Sequence, residues 1–246
     1  SWLGYGPNVG KFEKAWSKYF NVKHSIALNS CTAALHLALA VNNFKKNKKV
    51  LVPAMTFSAS AASILYCGLK PIFVDIDPKN LAMSEDQILS KINKNTLAVF
   101  LTHVQGFNGL SEKLLKKLKS KNIFLIEDVC ESHGATFKGK KLGTFGLISN
   151  FSFYYAHHMS TIEGGMICTN SKDIYEKARI FRSHGMAREV KNSKFQNKMI
   201  KKYPKLSTSE YLSVVHLSVS TSTSIVSLFP KLSYHIALFL LFGNNL

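Results

Sequence analysis

The chain has 246 residues, enough for one or two domains with a sizeable core, and its 46% of apolar residues exclude a disordered polypeptide. A formal net charge of +18 comes from many Lys and few acids, with the Lys in short runs such as Lys45, Lys46, Lys48, Lys49 and Lys198, Lys201, Lys202, Lys205. Cys31, Cys67, Cys130 and Cys168 show no C-x-x-C spacing, which excludes a disulfide framework and points to free thiols in a reducing, cytoplasmic setting. Residues 7–20 are expected to form an amphipathic helix, with Val9, Phe12, Trp16 and Phe20 at helical spacing. Ser25–Leu28 is a short strand, Asn29-Ser30 a cap, and Thr32–Val41 a buried helix of Ala and Leu. Val50–Pro53 is strand-like, Ser58–Cys67 a small-residue helix stopping near Gly68, and Pro71–Val74 a strand closed by the turn at Asp75–Pro78. A helix over Ser84–Ile92 and a strand over Thr96–Leu101 follow.

Ser111–Ser120 turns Leu114, Leu115 and Leu118 inward and its lysines outward, and Asn122–Glu127 is an apolar strand ending in acids. Short buried strands alternating with helices imply an α/β fold with a mainly parallel central sheet covered on both faces. Ligands on such sheets sit beyond the carboxyl ends of strands, and Asp128 lies at such an end.

Beyond about Lys205 the character changes. Tyr211–Leu246 holds one charged residue, Lys231, amid many Ser and Thr, and the apolar run Ile236–Phe242 is too short to span a bilayer. No membrane partner is expected, a span here being the alternative. Ser1–Gly6 has neither a charged nor an apolar leader segment, so no signal peptide is expected. The Lys runs lack interleaved aromatics and read as a solvated surface, so no nucleic acid is expected. Nucleic-acid binding stays open as an alternative, marked by steep salt dependence.

Several residues fit phosphate and proton chemistry. Asn29-Ser30-Cys31-Thr32 lies between a strand and a helix, where backbone N–H groups and the Thr32 hydroxyl suit a phosphate. An ordinary helix cap explains that segment equally well. Asp128 could equally be a capping acid, Phe57 a core residue, and Ser152 a polar residue inside a strand. His157 can move protons near neutral pH and cannot form an imine.

These residues together resemble the DegT/StrS family of pyridoxal-phosphate sugar enzymes. Ser152-Phe153 followed by His157 and Glu163-Gly164-Gly165 resembles the family's S-F-x-x-x-K…E-G-G, with His157 in the slot of the cofactor-binding Lys. No Lys occurs between Lys141 and Lys172 to take its place. Asn29-Ser30-Cys31-Thr32-Ala33 resembles N-S-G-T-x, with Cys31 in place of Gly, and Glu127-Asp128…Gly134-Ala135 resembles E-D-x-x-x-x-x-G-A. The resemblance implies an aspartate-aminotransferase-like (fold type I) large domain over residues 1–205, incomplete at both ends. The small C-terminal domain is then missing or abnormal, residues 206–246 being a tail unlike the family.

It also implies roles. Cys31, Thr32 and Ser152 hold the cofactor phosphate, Phe57 stacks on its ring, Asp128 pairs with the ring nitrogen and Glu131 lies near its phenolic oxygen. His157 is the general acid/base, and no metal is required. Within the family, a histidine in the Lys slot resembles the sugar 3-dehydratases that use free pyridoxamine 5'-phosphate. The reaction implied is C3 dehydration of a nucleotide-linked 4-keto-6-deoxyhexose, with L-glutamate, bound by His184 and Arg188, restoring the amine, in a homodimer if complete. The iron–sulfur type of 3-dehydrase needs several Cys after the His segment, and Cys168 alone follows His157. A nucleotide-sugar aminotransferase and a cofactor-binding but inactive homologue remain alternatives.

Overall fold

The computed structural model describes residues 5–183. In chain order the elements are α1 (Pro7–Phe20), β1 (His24–Leu28), α2 (Cys31–Ala40), β2 (Lys49–Pro53), α3 (Ser58–Tyr66) and β3 (Lys70–Val74). Then come α4 (Glu85–Lys91), β4 (Thr96–Thr102), α5 (Glu112–Ser120) and β5 (Phe124–Asp128). A small hairpin, β6 (Thr136–Phe137) and β7 (Lys140–Lys141), precedes β8 (Ile148–Ser152), β9 (Gly165–Thr169) and α6 (Lys172–Arg182). The compact unit described here ends at Arg179, and of a second unit starting at Ile180 only Ile180–Ser183 are described.

Seven strands form one sheet in the order β1-β9-β8-β5-β4-β2-β3. All neighbours run parallel except where β9 pairs antiparallel with both β1 and β8, so one strand is reversed in an otherwise parallel sheet. Side chains alternate across the sheet and sort into two buried layers. Leu51, Val99, Leu101, Leu125 and Phe151 join Trp16, Phe20, Ile88, Leu114 and Leu118 from α1, α4 and α5. On the opposite face α2 packs against β8 and β9, and α3 against β2 and β3.

The helices start where their caps permit. Ser30, Ser84 and Ser111 each accept the N–H of the residue three positions on, Ala33, Gln87 and Leu114. Asn122 takes a left-handed φ of 52° after α5, so β5 begins two residues later than the apolar run suggests and Asp128 becomes its last residue. In α1 the buried positions are Glu13, Trp16 and Phe20, with Val9 and Phe12 half-buried. Glu13 is tolerated because its carboxylate accepts the Ala27 N–H at 2.9 Å and the Tyr5 hydroxyl at 3.0 Å. Trp16 meets Phe151 and Phe153 edge-on at 5.2 and 4.9 Å between centroids, anchoring α1 over β8. Each such buried ring contributes about 1.5–3 kcal/mol of transfer free energy.

Candidate active site

Asp128 ends β5 in register with Thr102 of β4 and Asn150 of β8, so the three lie in one row at the carboxyl edge of the sheet. Its Oδ1 accepts the Cys130 N–H at 3.2 Å and its Oδ2 the Thr102 hydroxyl at 3.5 Å. The Thr56 hydroxyl lies 3.4 Å from that of Thr102. Burial pushes the Asp128 carboxyl above its ordinary range, and Cys130 and His103 only partly oppose the shift. In the same row, neither the amide oxygen nor the amide nitrogen of fully buried Asn150 has a hydrogen-bond partner.

One residue earlier, Glu127 points to the other face and is fully satisfied. Its Oε1 accepts the N–H groups of Phe145 at 2.8 Å and Gly146 at 2.6 Å. Its Oε2 accepts the Gly143 N–H at 2.8 Å and faces His103 Nε2 at 3.3 Å. His103 Nδ1 accepts the Gly109 N–H, so the proton sits on Nε2 and is donated to Glu127. This buried carboxylate therefore pins the loops after β4 and β7 beneath the edge that carries Asp128.

The N-terminus of α2 faces the same edge. Ser30 caps it, and the first-turn N–H groups of Cys31 and Thr32 have no acceptor within the helix. Gly165, the first residue of β9, runs so close that a Cβ there would lie 2.6 Å from the Ser30 carbonyl carbon and 2.8 Å from the Cys31 nitrogen. Only glycine permits that approach. Cys31 Sγ lies 2.8 Å from Cys130 Sγ.

Beyond β8 the chain turns at Tyr154, whose carbonyl accepts the His157 N–H at 3.0 Å. His157, His158 and Ala156 line a cleft of about 430 Å³ together with Gln105 and Glu131. The Gln105 N–H donates to Glu131 at 3.2 Å. Nδ1 of His157 is buried without a hydrogen-bond partner. His133 packs beside this cleft, its ring 5.5 Å from that of His158 and walled by Trp16, Phe151 and Phe153. Neither of its ring nitrogens has a partner, and burial, reinforced by His158 and His157, pushes its pKa down to about 4. His133 is therefore neutral near pH 7.

Residues 1–211 match the DegT/DnrJ/EryC1/StrS aminotransferase family. The chain belongs to that family. Its relatives include a GDP-perosamine synthase of Caulobacter vibrioides, 38% identical over 76% of this chain and 50% of the relative. A GDP-4-keto-6-deoxy-D-mannose 3-dehydratase of Yersinia pseudotuberculosis is 34% identical over 75% of this chain and 49% of the relative. Among solved structures, an Escherichia coli GDP-4-keto-6-deoxy-D-mannose-3-dehydratase with bound hydrated PLP matches with a TM-score of 0.72. The identity there is 33%, over 75% of this chain and 49% of the other. The chain spans about half the length of these relatives. It has the fold type I architecture of the family, seen as the mainly parallel sheet between helices.

Set against the family motifs, the structure brings Glu131 and His157 into one cleft, and Cys31 into contact with the segment that carries Asp128. Thr32 follows Cys31 in the first turn of α2. Phe57 precedes α3 and is 73% exposed, so it is no core residue. Ser152 is buried, and its Oγ accepts the Tyr154 N–H at 3.3 Å. His184 and Arg188, the proposed boundary at 205/206 and the apolar run at 236–242 lie outside the described residues. Among the described residues no helix is long and apolar enough to cross a membrane. Sequence reasoning gave no role in the site to Glu127, His103, Thr102, Cys130 or His133. Glu127 stood in the E-D motif and closed an apolar strand, and nothing local marked the roles of the other four.

Proposed function

We propose that this protein is a pyridoxamine-phosphate-dependent 3-dehydratase of a nucleotide-linked 4-keto-6-deoxyhexose, with L-glutamate as amino donor, in dideoxysugar and O-antigen biosynthesis. His157 carries the reading: an imidazole fills the family's Lys slot and shares a cleft with Glu131, its Nδ1 buried and unpartnered.

The residues present suit pyridoxal or pyridoxamine 5'-phosphate. The first turn of α2 offers N–H groups and the Thr32 hydroxyl to a phosphate, with the Ser152 hydroxyl as a further donor. The buried Asp128 carboxylate gains a cationic partner in a protonated ring nitrogen, which offsets its burial. The exposed Phe57 ring would give a stacking surface, and Glu131, in the His157 cleft, would serve the phenolic side. When bound, pyridoxamine phosphate supplies the amine that joins the sugar ketone and a ring that withdraws electrons.

The chain's own residues then divide the work. His157 would serve as the general acid/base, its imidazole accepting a proton on the cofactor side and returning one to the departing C3 hydroxyl. Asp128 would hold a protonated ring nitrogen through its buried carboxylate. His184 and Arg188 are the candidate ligands of glutamate. Exposed apolar side chains around the edge, Tyr155, Ile162 and Phe57, support a homodimer in which a second copy covers them.

A nucleotide-sugar aminotransferase is the second reading, favoured by the GDP-perosamine synthase among the relatives. The absence of any Lys between 141 and 172 weighs against it. His157→Lys tests the choice. With pyridoxal phosphate and borohydride, the native protein should leave the peptide around residue 157 unmodified, and His157→Lys should carry a pyridoxyl adduct there. His157→Lys should also lose ammonia release from the keto sugar in the presence of pyridoxamine phosphate. Dehydration surviving in His157→Lys, or an adduct on the native peptide, would overturn the assignment.

A further inference from the structure

We infer that Cys31 and Cys130 form a reversible disulfide that closes the cofactor seat. The two thiols lie 2.8 Å apart although 99 residues separate them in the chain. An S–S bond of about 2.05 Å needs an approach of less than about 1 Å more. Both residues are partly exposed, so a small oxidant reaches them. The other cysteines are poorly placed for exchange. Among the described residues neither Cys67 nor Cys168 has another thiol in contact, and Cys168 faces the Ser25 hydroxyl at 3.3 Å.

The location gives the bond its consequence, which rests on the cofactor reading above. Cys31 opens α2 at the proposed phosphate seat, and Cys130 follows the proposed ring-nitrogen partner Asp128 by two residues, its N–H on the Asp128 carboxylate. A bridge between them would join the two segments proposed to anchor the cofactor. Cofactor and disulfide therefore compete for one space. The glycine of the family pattern at position 31 has no thiol to contribute.

The chemistry needs an oxidant, and a low-molecular-weight disulfide such as oxidised glutathione suffices. The thiolate of Cys31 attacks one glutathione sulfur, forming a mixed disulfide and releasing one reduced glutathione. Burial raises the Cys130 thiol well above its ordinary range, so Cys31 is the first attacker. Cys130 then attacks the Cys31 sulfur, its proton leaving through the adjacent Asp128 carboxylate, and a second reduced glutathione departs. The two cysteines lose two electrons and the glutathione disulfide gains them. Dithiothreitol reverses the reaction.

The experiment uses the full chain, Cys31→Ser and Cys130→Ser, each treated with oxidised glutathione and mapped by mass spectrometry without reduction. Pyridoxal phosphate uptake is followed by absorbance before and after dithiothreitol. A peptide pair linked through residues 31 and 130 is expected in the native chain alone. The oxidised native chain should bind pyridoxal phosphate about tenfold more weakly or worse, with recovery on reduction, while oxidation should leave uptake by Cys31→Ser unaltered and should stop at a glutathione adduct on Cys31 in Cys130→Ser. Saturating cofactor should slow formation of the linked pair to a similar degree. Mixed glutathione adducts without the linked pair would overturn the disulfide. A linked pair with unchanged cofactor uptake would overturn the gate. A reduced chain that takes up no pyridoxal phosphate would overturn the proposed function and the gate with it, and the linked peptide would still decide the disulfide.

Discussion

Glu127 and Asp128 are neighbours in sequence and opposites in structure. Glu127 faces the α1, α4 and α5 layer, where three backbone N–H groups and His103 occupy its carboxylate. Asp128 faces the α2 and α3 layer with two long contacts and a carboxyl pushed upward by burial. In register with it on β8, the fully buried Asn150 amide has neither its oxygen nor its nitrogen paired. The first carboxylate is saturated by its own chain and serves the fold. The second stands beside an amide that the chain leaves unpaired, as expected where a ligand completes the hydrogen bonding.

Substitution should separate the two regions. Glu127→Gln places an amide NH₂ against groups that already donate, whether toward Gly143 and His103 or toward Phe145 and Gly146. The expected loss is about 4 kcal/mol of stability, read by chemical denaturation without cofactor. A loss under about 1 kcal/mol would dissolve the distinction between the two carboxylates.

The histidine beside the cleft should show itself in pH. Its pKa of about 4 in the folded chain lies below the unfolded value of 6.5, so the unfolded state binds the proton first as pH falls. Stability is intact above about pH 6.5 and should fall between there and about pH 4, by about 3 kcal/mol. His133→Phe should flatten that part of the stability profile. An unchanged slope would mean that other groups set it.

Asp128→Asn should act in opposite directions on stability and binding. Removing a buried charge should leave the cofactor-free chain as stable or more so, while pyridoxal phosphate uptake weakens about a hundredfold. Parallel losses of both would place Asp128 with Glu127 as a structural group. The smallest effect is expected from Gly165→Ala, whose methyl must push β9 away from the Ser30 carbonyl. About 2 kcal/mol of stability should be lost, together with part of the cofactor uptake, measured by thermal melts and titration.

Much of the scaffold is legible in the sequence. The alternating apolar runs mark β2 to β5 and their helices to within two residues, because period-2 and period-3.6 patterns reflect local side-chain geometry. The reversal of β9 left no such mark, since an antiparallel and a parallel buried strand carry the same apolar run. Phe57 illustrates the same limit: its sequence environment fits a core ring, and its place just before the start of α3 leaves it exposed.

For the site, sequence alone determined the identities: an imidazole in a lysine's slot, an aspartate at a strand end, a cysteine in place of a glycine. The tertiary structure decided which of them meet. Which face of β5 each acid takes, which loop supplies N–H groups to Glu127, and that Cys31 touches Cys130 all follow from strand order and register. Those depend on crossovers between distant segments, and a local pattern carries no record of them.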